Sequence, residues 1–259
     1  MIKTNKRGFV YDSDGGWLPP INPKQFEVFE EFHRYPLVHG PRFSSKTWGI
    51  IHKVIRHSFD VRGGMFGIVC KTIKNAKASG VWSLLCNVML PFWQHGIAAE
   101  LWEPWMPEAW KHGCPGFEVV EGPKTTGDTK MSFVKIRNRH GTVSEIQCHS
   151  LEYASEVEAK FKGPFYSGFW LSEFDQYCNR HAFDIFCDAL RMPGVTFEQH
   201  QIICDCNPPE SGPNNWMHDL WFKFLDSPPP ADEPEADKIF RDGLHKILVM
   251  IEDNPQLDA

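Results

Sequence analysis

The chain lacks any apolar run approaching the roughly 18 residues that a membrane-spanning helix needs, and it carries no signal-peptide pattern. No membrane partner is therefore expected. Paired Cys-x-x-Cys motifs are also missing: the eight cysteines (Cys70, Cys86, Cys114, Cys148, Cys178, Cys187, Cys204 and Cys206) are scattered singly, apart from Cys204-x-Cys206. That distribution excludes a dense disulfide scaffold and favours reduced thiols packed in a core over a metal cluster drawn from Cys148, His149, Cys204 and Cys206. Excess positive charge is absent too. With a formal net charge of -6, a uniformly basic nucleic-acid surface is excluded, so DNA or RNA would have to meet a local patch, a ring of subunits or another domain.

What remains is the composition of an ordinary globular protein, 42% hydrophobic and 23% charged over 259 residues, enough for one large α/β domain with a full core. Its most informative stretch is Gly40-Pro41-Arg42-Phe43-Ser44-Ser45-Lys46-Thr47, which follows the apolar Tyr35-Pro36-Leu37-Val38 and opens an amphipathic run from Trp48 to His57. A strand turning tightly into a helix leaves backbone N–H groups unpaired at the helix N-terminus, a natural seat for phosphate. In the loop G-x-x-x-x-G-K-[ST] the backbone wraps the phosphates, the Lys meets the β/γ oxygens, and the hydroxyl ligates Mg²⁺. Gly40, Lys46 and Thr47 match. Ser45 stands where the second glycine is expected, and its Cβ restricts the backbone there.

Residues 1–24, polar and rich in Gly, Pro and Asn, read as an arm or entry loop, and a helix is expected to start at Pro23. Gln25 on that helix could read adenine through its two-sided amide, or could be a plain surface residue. Met65–Cys70 reads as a strand followed by a helical run through Ser79, Trp82, Leu85 and Met89. Residues 91–116, with Trp93, Trp102, Trp105 and Trp110, read as an irregular aromatic insertion. Further strands are expected near 117–120, 132–136 and 142–146, with a turn at 137–141. Lys124, Lys130, Lys135, Arg137 and Arg139 make this the most basic region, either a nucleic-acid or subunit contact or a solvated hairpin tip.

Two later strands end in polar residues. Phe165 to Asp175 is an apolar run closing on Ser172, Glu173 and Asp175; in phosphate-loop ATPases such a strand, expected beside the first, brings an acid to the Mg²⁺ shell and a Glu to the attacking water. Gln201 to Cys206 runs into Asn207-Pro208-Pro209-Glu210, where Asn207 would face the ligand crevice at a strand's carboxyl end or would simply terminate the strand.

Taken together, from about Gln25 to the chain end, these stretches resemble the N-terminal ATPase domain of the large terminase subunit of tailed double-stranded DNA phages. The elements that carry the likeness are the Arg-containing loop (Gly40 to Thr47), the strand with its acidic end (Phe169 to Asp175), the Asn-Pro-Pro turn followed by Asn215 to Phe222, and Ile247 to Pro255. The resemblance implies an α/β phosphate-loop NTPase with a central, mostly parallel sheet and helices on both faces. It implies that Lys46 and Thr47, with the rest of the loop from Gly40 through Pro41, Arg42, Phe43, Ser44 and Ser45, hold ATP and Mg²⁺, with Gln25 on adenine. Arg42 would sense the γ-phosphate, Glu173 would be the catalytic base, and Asn207 would couple hydrolysis to movement. Lys162, in Glu158 to Gly163, falls where the family has an arginine that acts on a neighbour's ATP. Ser172 replaces a usual acid before the catalytic Glu, which lowers the expected Mg²⁺ affinity unless Asp175 or Asp205 reaches in. Implied partners are double-stranded DNA, the portal protein, the small terminase subunit and other copies in a ring on the portal, in the cytoplasm of an infected bacterium. With the sequence ending at Ala259, no nuclease domain and no DNA cleavage are expected. The rival readings are a helicase-like translocase or kinase, and a nucleotide-binding scaffold with little hydrolysis.

Overall fold

In the computed structural model the described residues are 1–42, 44–72, 80–125, 131–207, 215–250 and 253. Phe43, Ser79, Lys130, Pro208, Pro209, Glu210, Ile251, Glu252, Asn254 and Pro255, all used in the sequence reading, lie outside them.

Within the first 24 residues, expected as an arm or entry loop, two strands form. Strands β1 (Ile2–Thr4) and β2 (Val10–Asp12) form an antiparallel hairpin, and Val10 bridges to Ile21. Val10 and Ile21 are buried in the main core, which is why this segment packs down. Helix α1 (Pro23–Glu30) starts where expected. Asn22 Oδ1 accepts the Gln25 N–H at 2.7 Å while Gln25 Oε1 accepts the Asn22 N–H at 2.9 Å, a reciprocal cap with Pro23 pre-set at the first helical position.

Strand β3 (Tyr35–His39) leads into helix α2 (Lys46–Asp60), and β4 (Met65–Cys70) follows. The aromatic insertion opens with helix Val81–Leu84, passes through a π-helical turn (Leu85–Met89) and continues as Leu90–His95, where Pro91 cannot donate to the regular ladder. Its Trp93 and Trp110 are buried, and Trp93 Nε1 donates to His52 Nδ1 on α2 at 2.9 Å, so the insertion is core packing. Strands β5 (Glu118–Thr125), β6 (Ser132–Arg137) and β7 (Val143–Ser150) form the expected meander. Its cations are spent locally: Lys124 and Lys135 pair with Glu121 at 2.6 and 2.9 Å, Arg137 with Glu118 at 2.6 Å, and Arg139 with Asp60 at 2.7 Å. The described part of the region is a self-neutralised surface.

After β8 (Gly168–Leu171), helix α3 (Arg180–Ala189) and β9 (Gln201–Cys206), helix α4 (Glu235–Asp242) precedes β10 (Leu244–Leu248). The eight-stranded sheet runs β10-β3-β9-β8-β4-β7-β6-β5, parallel from β10 to β7 and antiparallel at β6 and β5. One expectation fails here. The strand ending at Glu173 is not beside β3, because β9 inserts between them.

Alternate side chains feed two cores, one on each face. Val38, Phe66, Ile68, Trp170 and Ile203 pack with α2 and the insertion, while Leu37, Val69, Phe169, Leu171 and Ile202 pack with α3 and Trp221. That alternation makes the three-layer α/β/α arrangement and leaves the carboxyl ends of β3, β9 and β8 as a shared open edge. Cys148 on β7 and Cys204 on β9 stand three strand positions apart, roughly 14 Å by strand spacing, and so serve separate cores.

Candidate active site

β3 hands the chain to a turn held by two backbone constraints. Gly40 sits at φ +149°, and a Cβ there would collide with the Val249 carbonyl, whose own N–H donates to the His39 carbonyl at 2.9 Å. Glycine is required by both conformation and space. Ser45, at the expected second glycine, occupies the left-handed region at φ +65° and ψ +15°. Its hydroxyl does not cap α2, and its Oγ is buried with no hydrogen-bond partner among the described residues. With no acidic residue in the first turn, α2 presents an unneutralised positive end.

Lys46 opens that helix but folds back over the loop. Its buried Nζ donates to the carbonyls of Gly40 at 2.6 Å and Pro41 at 2.8 Å and lies 3.3 Å from Ser44 Oγ. At 3.5 Å it also reaches Asn207 Oδ1, at the end of the neighbouring strand. Burial lowers the ammonium pKa, and the Asp205, Glu173 and Asp175 carboxylates oppose that shift. The ammonium thus waits at the loop with its positive charge held by carbonyl dipoles and an acidic surround.

The other wall comes from β9 and β8. Asn207 Nδ2 donates to Glu173 Oε1 at 3.3 Å, and Gln176 Nε2 donates to Glu173 Oε2 at 2.9 Å. Glu173 is also left-handed, at φ +49°. Among the described residues Ser45 and Glu173 are the non-glycine residues at positive φ, one next to Lys46 in the chain and the other bonded to Asn207. Backbone strain of this kind, about 1–3 kcal/mol per residue, persists where the surrounding structure holds a functional side chain in place.

Asp205 lies deeper, 4% exposed, and its Oδ1 accepts the Trp170 indole N–H at 2.6 Å. Burial pushes its carboxyl up to about 6, against the pull of the indole bond and of Lys46. Sequence reading treated Asp205 only as a substitute acid. A lone carboxylate inside Ile202-Ile203-Cys204-Asp205-Cys206, an otherwise apolar strand, is the sequence signal for a buried acid here.

The remaining anticipated residues divide. Thr47, which follows Lys46, and Ser172 and Asp175, which flank Glu173 closely in the chain, are half-buried, and Arg42 is exposed. Gln25 is no surface residue: it is 5% exposed, its Oε1 is engaged in the α1 cap, and its Nε2 reaches the Ser45 carbonyl at 3.5 Å. It also lines a cavity of 260 Å³ together with Ser45, Trp48 and Trp110. Phe9 and Trp105, stacked 5.9 Å apart at 7°, complete an aromatic wall, with the Arg7 guanidinium 4.9 Å over the Trp105 ring. Those aromatic contributors come from the hairpin and the insertion and escaped the sequence reading. Lys162 stands apart from the pocket residues in its contacts, 74% exposed and 3.9 Å from Glu158. Arg191 Nη2 donates to the Lys162 carbonyl at 2.6 Å.

No protein-family model and no curated protein sequence matches the chain. Solved structures do. The large terminase from a thermophilic bacteriophage superimposes with a TM-score of 0.61 at 15% identity, over 91% of this chain and 47% of that one. The chain has the fold of phage large-terminase ATPase domains. The Thermus phage P74-26 large-terminase ATPase domain aligns with a TM-score of 0.54 at 12% identity, over 93% of this chain and 84% of that domain. The thermophilic-phage terminase in complex with ATP-gamma-S gives 0.55 at 13% identity, over 91% of this chain and 46% of that one. This chain therefore spans about half the length of that full terminase. No helix among the described residues is long and apolar enough to cross a membrane.

Proposed function

We propose that this chain is the ATPase motor domain of a phage large terminase, hydrolysing ATP to drive double-stranded DNA into a prohead. The observation that carries the reading is the convergence of three distant segments: Lys46 from the loop, Asn207 after β9 and Glu173 after β8 form one hydrogen-bonded line at the carboxyl edge of the sheet. An ammonium, an amide and a carboxylate in that order suit a triphosphate tail with a water beyond it. The structural neighbours add the nucleotide context, because the thermophilic-phage terminase has been seen with ADP and with ATP-gamma-S.

In this reading the α2 amides and Lys46 bind the β and γ phosphates, and Lys46 exchanges its loop carbonyls for phosphate oxygens as the nucleotide arrives. The exposed Arg42 swings onto the γ-phosphate. Glu173 takes the proton from a water attacking the γ-phosphorus in line, while Asn207 and Gln176 hold its two carboxylate oxygens in place. The adenine enters the aromatic cavity beside Gln25. Thr47, Ser172 and Asp175 would hold Mg²⁺ through hard oxygen donors, with the second oxygen of Asp205 as a further acid, since its Oδ1 is taken by the Trp170 indole. When bound with the triphosphate, Mg²⁺ would supply positive charge that offsets the charge of the phosphates.

Asn207 touches both the cation and the base, so loss of the γ-phosphate would change its contacts on both sides; it is the residue through which hydrolysis would reach the DNA-gripping elements. Residues 25–259 would form the motor, with 1–24 packed onto it. Packaging would need the portal protein, the small terminase subunit and a ring of copies, in which Lys162 or the neighbouring Arg191 would face the next subunit's ATP. No DNA cleavage is assigned to these residues, and the setting would be the cytoplasm of an infected bacterium.

The test is phosphate release by the purified chain with and without DNA, beside Glu173→Ala. Release that rises with DNA and vanishes in the variant supports the motor. Transfer of phosphate to a small acceptor, or no release by the wild type, rejects it; equal release by both proteins rejects Glu173 as the base.

A further inference from the structure

At the end of the sheet opposite the phosphate loop, Glu31, His33 and His245 place three ligating atoms within 4.8 Å of one another. Glu31 follows α1 as its C-cap, His33 precedes β3, and His245 lies on edge strand β10 opposite Pro36. The five residues of β3 separate this cluster from the loop, roughly 16 Å at strand rise.

We propose that Glu31, His33 and His245 form a binding site for a borderline divalent transition ion of the Zn²⁺ class, which would clip the edge strand β10 to the α1–β3 connection. Four features carry this. The carboxylate is 5% exposed, yet its two oxygens address different imidazoles: Oε1 lies 2.6 Å from His33 Nδ1, and Oε2 contacts His245 Nδ1. Both rings use the same nitrogen toward the same carboxylate, and their centroids stand 4.5 Å apart, so the donors already converge from three sides. Tetrahedral Zn²⁺ with bonds of about 2.0–2.1 Å requires donors separated by roughly 3.3 Å, within the 4.8 Å that spans the three ligating atoms here.

The backbone is fixed beforehand. Gln201 Nε2, from β9, donates to the carbonyls of Glu31 at 3.2 Å and His33 at 2.8 Å, and Lys53 Nζ donates to the Glu31 carbonyl. Finally, His33 and His245 are 27% and 37% exposed, leaving an entry path and room for a water as fourth ligand. Phe32 stacks on His33 at 4.4 Å and shields one side. Two imidazoles and one carboxylate disfavour Mg²⁺ and Ca²⁺, which take oxygen donors, so the site would not compete for the nucleotide's metal. The clip acts on β10, whose continuation at Val249 presses on Gly40 of the phosphate loop.

The experiment titrates the nucleotide-free 259-residue chain with Co²⁺ and then Zn²⁺, following visible absorption, calorimetric stoichiometry and melting temperature. One equivalent is expected, with d–d bands of nitrogen and oxygen ligation and no thiolate charge-transfer band, and with a rise in melting temperature. His245→Ala and His33→Asn should each lower affinity by more than about 100-fold. Their metal-free circular dichroism should match wild type, and the isosteric Glu31→Gln should lose binding likewise should either prove unstable. Absence of stoichiometric binding in the wild type, a thiolate band, or binding unchanged in the three variants overturns the site.

Discussion

The Asn207 amide bonds the Glu173 carboxylate, Nδ2 to Oε1 at 3.3 Å, although the two residues lie 34 positions apart at the ends of neighbouring strands. The carbonyl side of the same amide faces Lys46 at 3.5 Å. Removing the carboxylate should therefore abolish turnover without abolishing nucleotide binding. Glu173→Ala is expected to lower the phosphate-release rate by roughly 10²–10⁴-fold, with ATP affinity within about three-fold of wild type by fluorescent-nucleotide titration. Asn207→Ala should lose turnover and also the DNA response of what remains. A Glu173→Ala protein with wild-type turnover would show that another base serves.

Ser45 at φ +65° carries a Cβ where glycine is free of strain. Ser45→Gly should stabilise the domain by about 1 kcal/mol, an upward shift of a few degrees, because the left-handed penalty outweighs the added freedom of the unfolded chain. Urea denaturation of the two proteins checks this. A less stable glycine variant would mean that the buried Oγ contributes more than the backbone loses.

Gly40 makes the opposite case. Any Cβ meets the Val249 carbonyl, so Gly40→Ala should destabilise by about 1–3 kcal/mol and weaken ATP binding together, as the loop and the segment after β10 separate. Differential scanning calorimetry with and without ATP reads both effects.

Asp205 has a sign that can be worked out. Its folded carboxyl is raised to about 6 by burial, above its ordinary value of 3.8, so the folded protein binds more protons between those values. Stability contributed by this residue is present at low pH and lost as pH rises from about 4 to about 6, then constant. Asp205→Asn should consequently match wild type near pH 4 and exceed it by about 2–3 kcal/mol at pH 7. It should also lose Mg²⁺-dependent turnover, a stabilising change that removes function. His52, buried and held down to about 3, acts with the reverse sign in both proteins and so cancels from the comparison. Urea melts across pH 4–8 are the measurement.

Local elements were readable because their causes are local. The Asn22-Pro23 helix start, the apolar strands Met65–Cys70 and Gln201–Cys206, and the Lys46-Thr47 loop each depend on residues a few positions apart, through caps, alternation and turn stereochemistry. Lys46, Glu173 and Asn207 each stand out singly, by residue type and by place at the end of a loop or strand. The N-terminal hairpin was not legible because Phe9-Val10-Tyr11 and Ile21 are short apolar breaks in a stretch rich in Gly, Pro and polar residues, and only the core that Val10 and Ile21 enter explains them. The basic meander was legible as charge, but not as charge already neutralised by Glu118, Glu121 and Asp60.

By itself the sequence determined the α/β class and the phosphate-loop pattern, and it marked Lys46, Glu173 and Asn207 as candidates, since residue type and short spacing specify those. Tertiary structure alone decided that β9 separates β3 from β8, that Lys46 and Asn207 meet across 161 positions, and that His33 and His245 share Glu31. Strand order and side-chain convergence come from how distant segments bury their apolar faces together, and no pattern within one segment encodes its neighbour in space.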